Sequence, residues 1–341
     1  MTANETRWGV VGHEWTVATL SHHIHTRRLQ HAYLLSGTPS IGKQTVAVAF
    51  ARALFCTKTN SPCPSPTYCR TCSLVARHKH PDLHMLIPVE TGSFINTGKI
   101  SIDAVRELVH RLSLKPIETN RHVAIISNFE AAARPAADAL LKTLEEPTEH
   151  TLLILIASSV HDVPPTITSR CHVIDLCPVP SNTISKHLVN ACAIEPDLAA
   201  RIAETSTGRP GWAIRMAQDL AAWDTYCSER QEAMAFESAS TAVRFATAGN
   251  LLSRSKLVVQ RAEAHGWLNA LELEQSHTLR NAMQSHTATA TPEDQAQLHT
   301  AISRLLRTTE TRRAIAANVS PQLALEDLAL RPISKSVLPS S

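Results

Sequence analysis

Aromatic side chains are scarce in this chain, 4% of 341 residues. Its apolar content, 43%, is carried mainly by Ala, Leu, Val and Ile. That balance favours helices over β-sandwiches and still supplies a core for two or three domains. Charge of one sign is also lacking, with 33 basic residues against 30 acidic ones and a net charge of +3. So even a balance argues against tight independent binding of nucleic acid and leaves room only for a local patch. No run approaches 18 apolar residues, so no membrane span is expected. The first residues, Met1–Gly9, lack the charged-then-apolar order of a signal peptide, so a cytoplasmic protein is expected. In that compartment the eight Cys read as metal ligands or core residues rather than disulfides. No internal repeat is visible. The 18 His show no ligand spacing, and His22, His23 and His25 read as solvated helix and turn residues.

What is present centres on His31–Thr45. An apolar run, Ala32–Leu35, reads as a buried strand. It is followed by a loop with Gly37, Gly42 and Lys43, and then by an Ala/Val-rich helix to about Phe55. Strand, glycine loop, Lys and helix in that order describe a P-loop, whose backbone N–H groups cradle phosphates while the Lys reaches the outer oxygens. The motif wants Ser or Thr directly after the Lys to hold Mg²⁺. Gln44 stands there, and the first hydroxyl comes at Thr45.

Just beyond, Cys56, Cys63, Cys69 and Cys72 fall within 17 residues in a Pro-rich stretch. One pair has C-x-x-C spacing, and the four suggest a structural zinc site with no open coordination position. Further apolar runs at Leu83–Val89, His122–Ser127, Leu152–Ala157 and His172–Leu176 alternate with helical patterns at Asp103–Leu112 and Ala136–Glu146. The polar stretch Glu90–Lys99 reads as a loop and Glu14–Thr26 as an amphipathic helix. Alternation at this spacing predicts an α/β module with a parallel sheet over residues 1–178. After Pro178 the pattern is helical only. Ser181–Cys192, Pro196–Thr205 and Gly211–Ala221 form a small lid over 179–221. An all-α region spans 222–333, with Pro292–Thr308 its clearest helix, and 334–341 reads as a frayed tail.

Several of these stretches together resemble the clamp-loader branch of the AAA+ ATPases, over nearly the whole chain. They are Val11-Gly12-His13, His31–Gly37 ahead of the P-loop, the Cys cluster, His80-Pro81-Asp82, Ile102–Leu108, Ala139–Pro147, Ser169-Arg170-Cys171 and Asn318–Glu326. The resemblance implies a RecA-like AAA+ module with a zinc insertion, a helical lid and a helical collar that joins subunits into a ring. That ring, part of the bacterial DNA polymerase III holoenzyme, opens a sliding clamp and closes it around primer-template DNA. Its members are motor (tau/gamma), delta and finger-donating stator subunits. Arg170, flanked by Ser169 and Cys171, is then the candidate arginine finger, reaching in trans into a neighbour's ATP site and stabilising charge on the γ-phosphate.

Against a working motor the chain departs at three places. Gln44 replaces the Mg²⁺ hydroxyl. Ser127 and Asn128 replace the acidic pair that supports Mg²⁺ and polarises water, and Glu130, two residues past the strand end, is not counted as a substitute. Gly211 stands where motor subunits carry a lid arginine, with Arg209 turned aside by Pro210. Losing the acidic pair alone costs several kcal/mol of barrier lowering on an order-of-magnitude basis. The expectation is a stator that does not hydrolyse ATP usefully, with nucleotide binding through Gly37, Gly42, Lys43, Gln44 and Thr45 weak or absent. The alternatives are an active motor subunit, a P-loop nucleotide kinase with a zinc-stabilised lid, and a helical scaffold with a relic loop. Phosphate contacts from Arg106, Arg111 or Lys115 compete with a plain solvated helix face.

Overall fold

A computed structural model describes residues 8–58, 61–64, 68–88, 100–252, 257–285 and 292–330. The expected loop Glu90–Lys99, the end of the run at Val89, the tail 334–341 and residues 1–7 lie outside these. The chain divides into two compact units, one running to Asp219 and the other from Leu220 onward.

In the first unit, the described residues form one five-stranded sheet in which every recorded pairing is parallel. The strands are β1 Ala32–Ser36, β2 Leu83–Leu86, β3 His122–Ile126, β4 Thr151–Ile156 and β5 His172–Asp175, in the order β2-β3-β4-β1-β5. β1, β3 and β4 are buried throughout. Continuous apolar runs are what a sheet covered on both faces requires. Successive residues go to opposite faces. Tyr33, Leu35, Val123, Ile125, Ile154 and Ile156 meet Val46 and Phe50, whereas Leu34, Ala124, Ile126, Leu153 and Leu155 meet Val105, Leu108, Leu140 and Leu144. The α/β module expected from alternation is what folds.

Helices Glu14–His25, Lys43–Phe55, Arg70–Ala76, Ile102–Ser113 and Arg134–Glu145 connect or flank the strands. Ile102–Ser113 begins where Ser101 accepts a hydrogen bond from the Ala104 N–H at 3.2 Å. Ser181–Cys192, Pro196–Thr205 and Pro210–Gln218 belong to this same unit. The third ends at Gln218, three residues short of the expected Ala221, because Asp219 leaves helical geometry at φ −130°, ψ 88°.

The second unit contains helices Leu220–Ser238, Thr241–Asn250, Leu257–Ser285, Pro292–Ala316 and Pro321–Leu330. Its core gathers Phe236, Trp267, Leu268, Leu271, Ile315 and Leu325, with Phe236 and Trp267 edge-to-face at 4.9 Å. Among the described residues no helix is long and apolar enough to cross a membrane.

Candidate functional site

The glycine loop leaves the carboxyl end of β1, an interior strand, where open parallel sheets present their ligands. Gly37 has φ +142°, and a Cβ there would lie 2.8 Å from the Leu176 carbonyl oxygen, so only glycine lets the loop pass β5. Gly42, at φ +111°, opens the helix Lys43–Phe55. His13 supports the loop from outside, its Nε2 donating to the Ile41 carbonyl at 2.9 Å. Burial holds the His13 imidazole below its ordinary pKa, which keeps it neutral.

Lys43 is buried, and its ammonium donates to the carbonyls of Gly37 and Thr38 in its own loop. Desolvation lowers its pKa, against which the carboxylates of Glu130 and Asp175 pull it up. Gln44 and Thr45 are both exposed on the first helical turn. Ser127 is buried at the end of β3, and Asn128 follows with φ 51° at the start of a short 3₁₀ turn, Phe129–Ala131.

Glu130, not counted as a substitute for the acidic pair, makes a contact that its sequence position did not reveal. Its Oε1 accepts from the Ser158 N–H at 3.1 Å and hydroxyl at 2.5 Å, which ties the turn after β3 to the end of β4. An acidic residue just past the buried run was the only sequence signal. The three-helix segment also reaches the loop in ways the sequence concealed. The Gly211 N–H donates to the Ser40 carbonyl at 2.9 Å, and Arg215 donates to the Ser40 hydroxyl at 2.8 Å. Pro210 starts the third helix as expected, and Arg209 before it bonds the Ser206 carbonyl at 2.9 Å and lies 5.7 Å over the Trp212 ring.

Cys56, Cys63, Cys69 and Cys72 come together with their Sγ atoms all within 4.8 Å of one another. A tetrahedral Zn–S₄ centre has S···S edges of about 3.8 Å, and Cys56 and Cys63 stand 3.6 Å apart. Burial pushes the Cys63 and Cys72 thiols up. At Cys69 burial is outweighed by the Cys72 N–H and neighbouring thiols, which bring it below its ordinary value. A donor set of this kind can hold a metal ion with no position left open. Arg52 closes it from behind, bonded to the Cys63 carbonyl at 2.5 Å and lying 4.4 Å over the Tyr68 ring.

Arg170 lies two residues before β5, and its guanidinium contacts Glu145 at 2.7 Å and the Thr166 carbonyl at 2.7 Å. In register, Tyr33 faces His172 and Ser36 faces Asp175. Arg170 therefore sits at the amino end of the sheet and the glycine loop at its carboxyl end, with the length of β1, about 13 Å, between them. Arg106 and Arg111 pair with Asp103 and Glu107 on their own exposed helix face, and Lys115 is exposed beyond it. His23 differs from its sequence reading as a solvated residue. It is half-buried, 2.9 Å from the Tyr33 hydroxyl and 5.2 Å from the His172 ring.

Residues 12–180 match the family model described as DNA polymerase III, delta subunit. The chain is 36% identical over 188 residues to DNA polymerase III subunit delta' of Pseudomonas aeruginosa, covering 54% of this chain and 55% of that protein. It is 32% identical over 177 residues to subunit delta' of Bacillus subtilis, covering 52% and 50%. It is 33% identical over 183 residues to subunit tau/gamma of Haemophilus influenzae, covering 53% of this chain and 25% of that protein. The chain thus spans between a quarter and just over half of the length of these relatives.

Proposed function

This chain belongs, through residues 12–180, to the DNA polymerase III clamp-loader family of delta', gamma and tau subunits, and on that premise we propose that it acts as a delta'-type stator. In this reading it does not hydrolyse ATP usefully. It donates Arg170 in trans to a neighbouring ATPase subunit while the assembly loads a sliding clamp onto primer-template DNA. Its partners are the tau/gamma motors, delta, the clamp and, through the ring, the DNA, in a cytoplasmic assembly. The domain plan is an AAA+ module to residue 178, a lid over 179–221 and an oligomerising collar over 222–333.

The observation that carries this reading is the separation of Arg170 from its own glycine loop. Arg170 and the loop lie at opposite ends of β1, about 13 Å of strand, and Arg170 is engaged at its own end by Glu145 and Thr166, which leaves it nothing to do at the chain's own phosphates. It is held instead in a half-exposed pair with Glu145, a contact of the surface kind that a competing phosphate can displace. The loop supports the same reading. Lys43 spends its ammonium on loop carbonyls, and no carboxylate stands at positions 127 and 128. The four clustered cysteines fit a structural zinc, held by Cys56, Cys63, Cys69 and Cys72.

One observation favours the motor alternative: Glu130 places a carboxylate whose field acts on Lys43. A single assay separates the two readings. The ring is reconstituted with its motor and delta partners, and ATPase stimulated by clamp and primed DNA is measured with Arg170→Ala or Lys43→Ala in this chain alone. A stator loses about tenfold or more at the served site with Arg170→Ala and is indifferent to Lys43→Ala. If Lys43→Ala is the damaging change, the chain is a motor. If neither matters, the finger assignment fails.

A further inference from the structure

The second unit contains a small cavity, about 30 Å³, lined by Arg244, Arg304, Arg307, Glu237, Gln275 and Thr308 with apolar walls from Phe236, Leu271 and Leu328. Three arginines and one glutamate are among its lining residues. Glu237 is already engaged, accepting from Gln275 at 2.8 Å and from Arg304 at 3.5 Å. Nearby carboxylates are engaged as well, Glu274 with Arg230 and Glu272 with Arg312. Arg244 is only 8% exposed, yet its recorded side-chain bond runs to the Thr241 hydroxyl at 3.3 Å, and its Nε has no partner.

An uncompensated buried charge is strongly destabilising, which calls for a counter-ion. Two further lining atoms are unsatisfied, the Arg304 Nε–H and the Gln275 Oε1. The walls therefore offer unmet donors, an unmet acceptor and the buried Arg244 charge. A water needs roughly 10–15 Å³ on this scale, so the cavity takes an occupant the size of a small oxyanion and excludes a nucleotide.

We propose that this cavity is a hydrogen-phosphate site. Arg244, Arg304 and Arg307 supply donors to the phosphate oxygens, and Gln275 Oε1 accepts the hydroxyl that hydrogen phosphate retains at neutral pH. Sulfate and carboxylates match the charge and lack that proton. The site lies wholly in the helical unit and is independent of the glycine loop and of Arg170.

The test is calorimetric titration of the full chain with inorganic phosphate, sulfate and acetate at pH 7.5 and matched ionic strength. It is repeated with Arg244→Gln, Arg307→Gln and Lys43→Ala, the last removing the lysine of the glycine loop. The expected result is saturable phosphate binding that persists in Lys43→Ala and weakens about tenfold in either arginine variant. Arg307 is half-exposed, so its variant decides the matter should Arg244→Gln not fold. The proposal is overturned if phosphate does not bind, if binding survives both arginine changes, or if it vanishes with Lys43→Ala. It is equally overturned if sulfate or acetate binds as tightly as phosphate.

Discussion

The backbone N–H of Gly211 lies 2.9 Å from the carbonyl oxygen of Ser40, so the helix Pro210–Gln218 begins directly on the wall of the phosphate loop. A Cβ at position 211 would stand 2.8 Å from that oxygen, closer than side chains approach backbone. Residue 211 sits in a helix, where alanine is intrinsically favoured over glycine by about 1 kcal/mol. A net loss on substitution therefore reports the clash alone. Gly211→Ala is expected to destabilise the chain by about 1–2 kcal/mol in urea unfolding, with Arg215→Ala smaller. A neutral or stabilising Gly211→Ala would mean that this contact is not held in solution.

Asp82 presents a second relationship with a measurable cost. Its carboxylate is fully buried and accepts from the N–H groups of Ile117, Glu118 and Thr119 at 2.6, 2.9 and 2.7 Å, and from the Thr119 hydroxyl at 2.8 Å. Burial alone would raise its pKa; the four donors outweigh that and lower it. The stability this carboxylate contributes is present above its unfolded pKa and is lost as pH falls through the lower folded value. Asp82→Asn turns one accepting oxygen into a donor facing donors. A loss of about 3 kcal/mol is expected, together with a flattening of the acid limb of the stability profile.

The fold was legible wherever neighbours in sequence are neighbours in space. The runs at Ala32, His122 and Leu152 announced buried strands because a sheet covered on both faces needs unbroken apolar segments, whereas the edge strand at His172 buries only Ile174. The glycine loop and the cysteine cluster announced themselves by spacing. Contacts that join distant segments left no such trace. Arg215 and Ser40 are 175 positions apart, and nothing periodic marks Arg215 as different from any other helix arginine. Glu130 was set aside for lying two residues past the strand end, and its bond to Ser158, in another strand's loop, leaves no mark in the sequence. In the second unit the helix ends are weakly marked, so the grouping of Arg244 with Arg304 could not be read from either stretch alone.

The cysteine cluster predicts a metal dependence. Purified chain is expected to carry one zinc, read by elemental analysis, and to lose it to a strong chelator or to Cys72→Ser. Cys72 is fully buried, and metal binding to such a set is coupled to folding. Loss should therefore lower unfolding free energy by more than about 2 kcal/mol. Metal-free chain with unchanged stability would leave the four thiols as ordinary packing.

Histidine burial predicts the pH profile. His13, His84 and His265 are all held below their ordinary pKa, chiefly by desolvation, with the His122 ring against His84 and the Arg312 and Arg261 charges beside His265 adding to it. His84 also sits 3.2 Å from His122, ring nitrogen to ring nitrogen, a contact that needs at least one neutral ring. A histidine with a lowered folded pKa binds fewer protons folded than unfolded in the interval between the two values. Stability then rises with pH across that interval. The contribution is full above the unfolded value of 6.5 and drains away as pH falls through the folded values. Thermal unfolding should therefore shift to lower temperature between about pH 7.5 and pH 5, well before Asp82 is protonated. His84→Gln keeps a hydrogen-bonding side chain without a titrating proton, so it should reduce that slope while leaving the acid limb below pH 4 in place. A slope indifferent to His84→Gln would assign the loss to the other depressed imidazoles, His13, His23, His80, His187 and His265, and combined variants at those positions would then have to remove it.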